Sequence, residues 1–201
     1  MNASSVLRLG VYGGAFDPPH NTHIAIAAAA LSQLTLDCLH IVPTGFAWHK
    51  SQQLSDATHR LAMAQLAFAD LPHTVVDARE TERQGPTYTI DTLRALQREY
   101  PRAQIYLVIG SDQARALSTW HAIDAVRGAA IICVAQRADS DESQADAAIA
   151  FPDLKRLHMP ASPLSATEIR GLAADRRDVS HLVPAPVARY IEHHHLYRTD
   201  R

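Results

Sequence analysis

The sequence predicts an α/β fold: a doubly wound parallel sheet followed by a small C-terminal helical cap. Three observations lead there. Short β-rich runs alternate with stretches of helical period through about residue 137. One run, Ile105-Tyr106-Leu107-Val108-Ile109, is apolar almost throughout, as a strand covered on both faces requires. Beyond it, a polar, alanine-rich stretch from Ala138 to Ala150 gives way to two helical segments with little strand character between them.

The elements follow in order. Leu7 to Tyr12 reads as a first strand closed by Gly13 and Gly14, and a helix from about Thr22 to Gln33 sets Ile24, Ala27, Ala28 and Leu31 on one face. Leu39 to Val42 is a second strand, stopped by Pro43. Ser55 or Asp56 caps a helix whose Leu61, Ala64, Phe68 and Leu71 share a face, and Pro72 ends that segment. Thr74 to Asp77 is a short strand. A helix from Thr89 to about Glu99 buries Ile90, Leu93 and Leu96 before Pro101. After the apolar Ile105 run, Ala129 to Ala135 reads as another buried strand and Lys155 to His158 as a short last one. Helices over Ala166–Ala174 and Val187–His194 form the cap.

Composition narrows the function classes. Lys and Arg number 19 against 21 Asp and Glu, a net charge of −2, so no overall positive field recruits nucleic acid or an acidic membrane. The longest apolar run, Ile24 to Leu31, falls far short of the roughly 18 residues that cross a bilayer. Met1 to Ser5 lacks the basic-then-apolar order of a secretory signal. Cys38 and Cys133 both lie in apolar stretches, read as small buried hydrophobes rather than a disulfide framework. A cytoplasmic location is expected. Nothing in the sequence specifies an oligomeric state.

In open parallel sheets a ligand sits beyond the carboxyl ends of the strands where strand order reverses. Gly13 and Gly14 end one strand and Gly110 another, and a missing Cβ lets backbone approach a ligand. If these strands are neighbours, their ends frame one cleft. In the loop after the first strand, Pro18 and Pro19 stiffen the chain just before a helix begins. His20 and His23, three apart, then fall on one side of the helix start, where backbone N–H groups and the helix dipole favour an anion. Phosphate oxygens fit that end. A metal pair, with Asp17 as a third ligand of a hydrolase, is the competing reading, although zinc sites want three or four converging ligands. Far along the chain, Leu164-Ser165-Ala166-Thr167-Glu168-Ile169-Arg170 opens another helix, with Ser165 or Thr167 as cap and Glu168 completing a capping box. Arg170 sits one turn in, where a guanidinium fork suits phosphate. Asp112, after Gly110, suits a ribose hydroxyl, and Asp17 is read as fixing its loop.

At the histidine loop and the Ser165–Arg170 stretch the chain resembles the nucleotidyltransferase α/β phosphodiesterase superfamily. More closely, it resembles the bacterial nicotinate-mononucleotide adenylyltransferases. Gly13-Gly14-Ala15-Phe16-Asp17-Pro18-Pro19-His20, Pro43 to His49-Lys50, and Glu82-Arg83-Gln84-Gly85-Pro86-Thr87-Tyr88-Thr89-Ile90-Asp91-Thr92-Leu93 follow that family's motifs in order. So do Gly110-Ser111-Asp112, Leu117 to Trp120, and Val187 to Ile191 leading to Leu196-Tyr197, so the likeness runs from about residue 8 to 198. Three positions depart from the pattern. Thr22 stands where the family has glycine, adding bulk where adenine or phosphate approaches; Ala47-Trp48 replaces the second proline before His49-Lys50; and Ala166 replaces a serine.

The resemblance implies one Rossmann-like nucleotidyltransferase domain over the whole chain. Its core is about residues 7–137, and an extension over about 138–201 carries the Ser165–Arg170 motif. It implies transfer of AMP from ATP to nicotinate mononucleotide. His20 and His23 would donate to the α-phosphoryl oxygens, and Lys50 and Arg170 would hold the departing β,γ-phosphates. Gly13, Gly14, Phe16, Gly110, Asp112, Ser165 and Thr167 would line the ATP site. Thr87, Tyr88, Thr89, Trp120 and His121 would receive the pyridine, with Trp120 as stacking platform and a protonated His121 favouring the acid over the amide. Mg²⁺ would be held mainly by the ATP phosphates and water. Nicotinamide mononucleotide or another phosphorylated acceptor, or a nucleotide-binding regulatory paralogue without turnover, are the alternatives.

Overall fold

A computed structural model describes residues 6–45, 54–137, 151, 153–159 and 164–198. Among them, six strands form one parallel sheet: β1 (Arg8–Gly14), β2 (Cys38–Pro43), β3 (Thr74–Val76), β4 (Gln104–Gly110), β5 (Ile131–Arg137) and β6 (Lys155–Met159). Their order across the sheet is β3-β2-β1-β4-β5-β6, and every neighbouring pair is parallel. The order reverses between β1 and β4, so the two glycine-bearing strand ends are neighbours and open a crevice at their carboxyl side.

The helices are α1 (Asn21–Gln33), α2 (Ala57–Phe68), α3 (Thr89–Glu99), α4 (Ser111–Arg115), α5 (Ile123–Ala129), α6 (Ala166–Ala174) and α7 (Ala185–His193), with a 3₁₀ turn at Leu117–Thr119. Residue alternation along β1 and β4 divides the core. Tyr12, Tyr106 and Val108 face α1 and α2 with Phe16, Ala27 and Phe68. Leu9, Val11, Leu107 and Ile109 face α3 and α5 with Leu93 and Val126. A third cluster joins the C-terminal helices to α2: Met63 packs with Ile169, Ala173, Val183, Val187 and Ile191.

Several expectations shift. In α1 it is Ile26, Ala27 and Ala30 that are buried, while Ala28 faces solvent. The run from Ile24 to Leu31 is apolar around the whole helix, so periodicity does not select a face. In α2 the buried residues are Arg60, Met63, Ala64 and Phe68, and Asp56 rather than Ser55 is the cap, accepting from the Thr58 N–H at 2.7 Å. α4 and α5 occupy a stretch without a long periodic pattern, and β5 accordingly begins at Ile131, not Ala129. α7 starts at Ala185 because Pro184 and Pro186 suit a helix entry, where an N–H is not required. The helix expected over Ala138–Ala150 lies outside the described residues. At the β6 edge, the Gln33 side-chain amide donates to the His158 carbonyl (2.8 Å) and accepts from its N–H (3.0 Å).

Candidate active site

The β1–α1 loop is built around Phe16. Its ring lies 3.1 Å from where a Cβ on Gly14 would be, so no other residue fits there without moving the ring. Phe16 is buried in the core, edge-on to Tyr12, Phe68 and His23. Its side chain therefore supports His23 from below, and any contact with a nucleotide falls to its backbone. His20 is the residue before α1, and its backbone N–H donates to His23 Nδ1 at 3.1 Å. The two imidazoles lie together, centroids 3.8 Å apart. Because Nδ1 of His23 accepts a hydrogen, the neutral ring carries its proton on Nε2, which makes that nitrogen a donor.

Arg170 comes from the other end of the sequence. Its Nη1 donates to the Asp17 carbonyl at 2.8 Å, and its Nη2 lies 3.2 Å from the Thr167 hydroxyl. Ser165 caps α6 by accepting from the Glu168 N–H at 3.2 Å, which aims the first turn of that helix. The guanidinium thus meets the loop three residues before His20. Lys50, and Trp48 beside it, lie outside the described residues.

At the end of β4, a Cβ on Gly110 would meet nothing within 4 Å, so that face is open. Asp112, in the first turn of α4, is exposed and paired with Arg115. Ser111 ties the strand end to β5 through the Ala135 carbonyl (2.9 Å). Thr87, Tyr88 and Thr89 lead into α3, with Tyr88 as the residue before the helix. The ring of His121 lies against that of Tyr88, centroids 4.2 Å apart. Trp120 is half-buried and packs on the α3-side core, which leaves His121 as the ring over Tyr88. Thr87 Oγ1 and Arg83 Nη1 are buried with no hydrogen-bond partner among the described residues.

Between these two groups runs a short bridge. The Thr44 N–H donates to the Gly14 carbonyl at 2.8 Å, and a Cβ on Gly45 would fall 1.9 Å from the Glu80 carbonyl and 3.0 Å from Thr87 Cγ2. Only glycine allows this crossing. Glu80 accepts from Thr92 Oγ1 at 2.7 Å, and burial pushes its carboxyl upward despite that bond.

Sequence reading missed Arg60. It is 2% exposed, and its guanidinium donates to the carbonyls of Ser55 (2.9 Å), Ala15 (3.1 Å), Thr44 (2.6 Å) and Gly45 (3.2 Å). It clamps the loops after β1 and β2 together. Burial pulls its pKa down, while the Asp17 and Asp56 charges act the other way. The signal was present: Arg60 falls on the same helical stripe as Met63, Ala64 and Phe68. Asp17 is equally buried, and both carboxylate oxygens are engaged, Oδ2 by the Ser55 N–H (3.0 Å) and Oδ1 by the Tyr197 hydroxyl (2.7 Å). Among the described residues, no group of three or more His, Cys, Asp or Glu side chains is placed to hold a metal ion.

A family model described as cytidylyltransferase-like matches residues 11–172. A relative from Albidiferax ferrireducens, named a probable nicotinate-nucleotide adenylyltransferase, is 54% identical over 195 residues, spanning 96% of this chain and 98% of its own. This chain belongs to the nicotinate-nucleotide adenylyltransferase group of the cytidylyltransferase-like family. A second relative of the same name, from Methylibium petroleiphilum, is 42% identical over 206 residues, covering 100% of this chain and 97% of its own. In fold, the chain is similar to a Plasmodium falciparum nicotinic acid mononucleotide adenylyltransferase complexed with APC, with TM-score 0.74 at 17% identity, over 95% of this chain and 97% of that one. A structure of that enzyme complexed with NaAD superposes with TM-score 0.73 at 18% identity.

Proposed function

We propose that this protein transfers the adenylyl group of ATP to nicotinate mononucleotide, giving nicotinate adenine dinucleotide and pyrophosphate. A phosphate oxygen of the mononucleotide attacks the α-phosphorus, and the bond to the β-phosphate oxygen breaks. The acceptor phosphate is already a nucleophile, so no protein side chain is needed as a covalent carrier. The work of the chain is to hold two anions in line and to offset charge at the reacting phosphorus.

The observation that carries the reading is the hydrogen bond from Arg170 to the Asp17 carbonyl, which joins a guanidinium to the two-histidine helix start beside the β1–β4 crevice. His23, neutral and protonated on Nε2, suits an α-phosphoryl oxygen, and so does His20 next to it. Arg170 suits the departing β,γ-phosphates, with Lys50 proposed for the same charge. Gly110 leaves room for nucleotide at the crevice, Gly13 and Gly14 are proposed to meet it through their backbone, and Asp112 is proposed for a ribose hydroxyl. The pyridine is proposed to lie near Thr87–Thr89, Trp120 and His121. Backbone N–H groups at the start of α3 suit a carboxylate there.

Mg²⁺ fits this donor set as an ion bound to the triphosphate. Asp17, the carboxylate of the histidine loop, has both oxygens held by protein donors, and no described group of three or more His, Cys, Asp or Glu side chains is placed to hold the ion by itself. When bound, it supplies further charge neutralisation at the phosphates. A cytoplasmic setting is proposed from the two free thiols: Cys133 is buried, its pKa pushed up to about 11 by burial, and Cys38 is half-buried. No described helix is long and apolar enough to cross a membrane.

The deciding experiment is pyrophosphate release from ATP and Mg²⁺, with nicotinate mononucleotide, nicotinamide mononucleotide and phosphopantetheine supplied separately. Turnover is expected with the first. Release only with phosphopantetheine, or ATP binding without release, overturns the reading.

A further inference from the structure

The Tyr197 hydroxyl reaches a buried carboxylate 180 positions earlier in the chain, and Asp17 is the residue whose backbone carbonyl holds Arg170. We infer that Tyr197 is a positioning residue for the adenylyl-transfer site, acting through Asp17 on both the histidine loop and Arg170. The inference rests on the function proposed above and adds a residue to it.

The chain of contacts is short. Tyr197 Oη donates to Asp17 Oδ1 at 2.7 Å, a charge-assisted bond, and the Ser55 N–H holds Oδ2 at 3.0 Å. With both oxygens held, the carboxylate fixes the orientation of its own residue. That residue's carbonyl then receives Arg170 Nη1 at 2.8 Å, and His20 follows three residues later. A buried Asp17 that loses one donor has an incentive to rotate, and rotation moves the acceptor of Arg170 and the entry to α1 together.

Packing alone does not explain the hydroxyl. Leu196 and the Tyr197 ring dock on the cluster of Met63, Ile169, Val187 and Ile191, and a phenylalanine would keep that burial. The backbone of Tyr197 is in the left-handed region, φ 65, as is that of His195 at φ 52, an uncommon conformation for non-glycine residues. The turn that brings the hydroxyl to Asp17 is therefore a strained one, held by its surroundings. Burial, with Asp17 adding to it, raises the phenol pKa, so it stays a proton donor across ordinary pH.

The test compares Tyr197→Phe with Tyr190→Phe. Tyr190 sits on the same C-terminal packing and loses a comparable bond, its hydroxyl lying 3.0 Å from His59 Nδ1 on α2 rather than reaching Asp17. Steady-state kinetics are measured with ATP and with nicotinate mononucleotide varied in turn, alongside melting temperature. Displacing reacting groups by a fraction of an ångström is expected to lower kcat about tenfold and raise KM for ATP several-fold in Tyr197→Phe. KM for the mononucleotide should stay within about twofold, since its proposed residues are on other elements, and Tyr190→Phe should match wild type within about twofold in all three. A Tyr197→Phe enzyme with wild-type kcat and ATP KM overturns the inference. So does a fall in kcat with both KM values unchanged, because a smaller folded fraction gives that result. An inactive wild type overturns the proposed function instead, so the two failures are distinct.

Discussion

The imidazole of His121 lies against the ring of Tyr88, centroids 4.2 Å apart and planes 31° from parallel. One ring comes from the residue before α3 and the other from the segment after the 3₁₀ turn, so the stack joins the two stretches proposed to receive the pyridine. A ring N–H held there offers a charge-assisted bond to a carboxylate and a weaker one to a carboxamide. His121→Ala should therefore lower the ratio of turnover with nicotinate over nicotinamide mononucleotide by roughly five- to tenfold, since such bonds differ by about 1 kcal/mol or more. Equal preference in wild type and variant would count against this role.

His23 is set by a backbone N–H on Nδ1 and by the edge of Phe16, not by substrate. Removing one preorganised donor to a transition state costs about 10²–10³ in turnover. His23→Ala is expected to lose that much kcat while its circular dichroism and melting cooperativity match wild type. Retention of half the turnover would exclude His23 from the chemistry.

Arg60 has a different signature. Replacing it by methionine leaves four loop carbonyls without their donor and Asp17 without its nearby buried cation. Removing one partner from a buried charge arrangement typically costs about 3–5 kcal/mol. Denaturant unfolding of Arg60→Met should show a loss of that size, and a change below about 1 kcal/mol would show that water replaces the guanidinium at little cost.

Acid sensitivity should trace to Asp77. Burial alone would raise its carboxyl, but hydrogen bonds from His40 and Arg79 outweigh burial and hold it at about 2, below the ordinary 3.8. A carboxyl depressed in the folded state stabilises it above the ordinary value, and that contribution disappears as pH falls through the folded one. Stability should drop between about pH 4 and pH 2, and Asp77→Asn should flatten that part of the curve. An unchanged slope in the variant would place the acid sensitivity elsewhere.

Most of the fold was legible because its signals are local and strong. The continuous apolar run of β4, the prolines at the end of β2 and before β3, and the N-cap at Ser165 each specify an element without help from distant residues. The short helices α4 and α5 carry too few turns to show a period, and the face of α1 is hidden by alanine on every side. Within the candidate site, the two histidines and Arg170 were legible through their places at helix starts. Arg60, Glu80 and Tyr197 were not, since each is held by partners 12 to 180 positions away. A charged residue inside the apolar stripe of α2 was the available clue to Arg60. Leu196-Tyr197 stood out only as part of the family likeness, and nothing in it points to Asp17, a partner set by the closed fold.

At the other margin of the sheet, Gln33 satisfies both outward backbone groups of His158 with a single side chain. An exposed strand margin is a template for another chain to add on. Here an intruding strand would have to evict an amide that already matches both the donor and the acceptor, so β6 is sealed against extension at its centre. Gln33→Ala would unseal it, turning a finished border into a place where copies of the protein can stick.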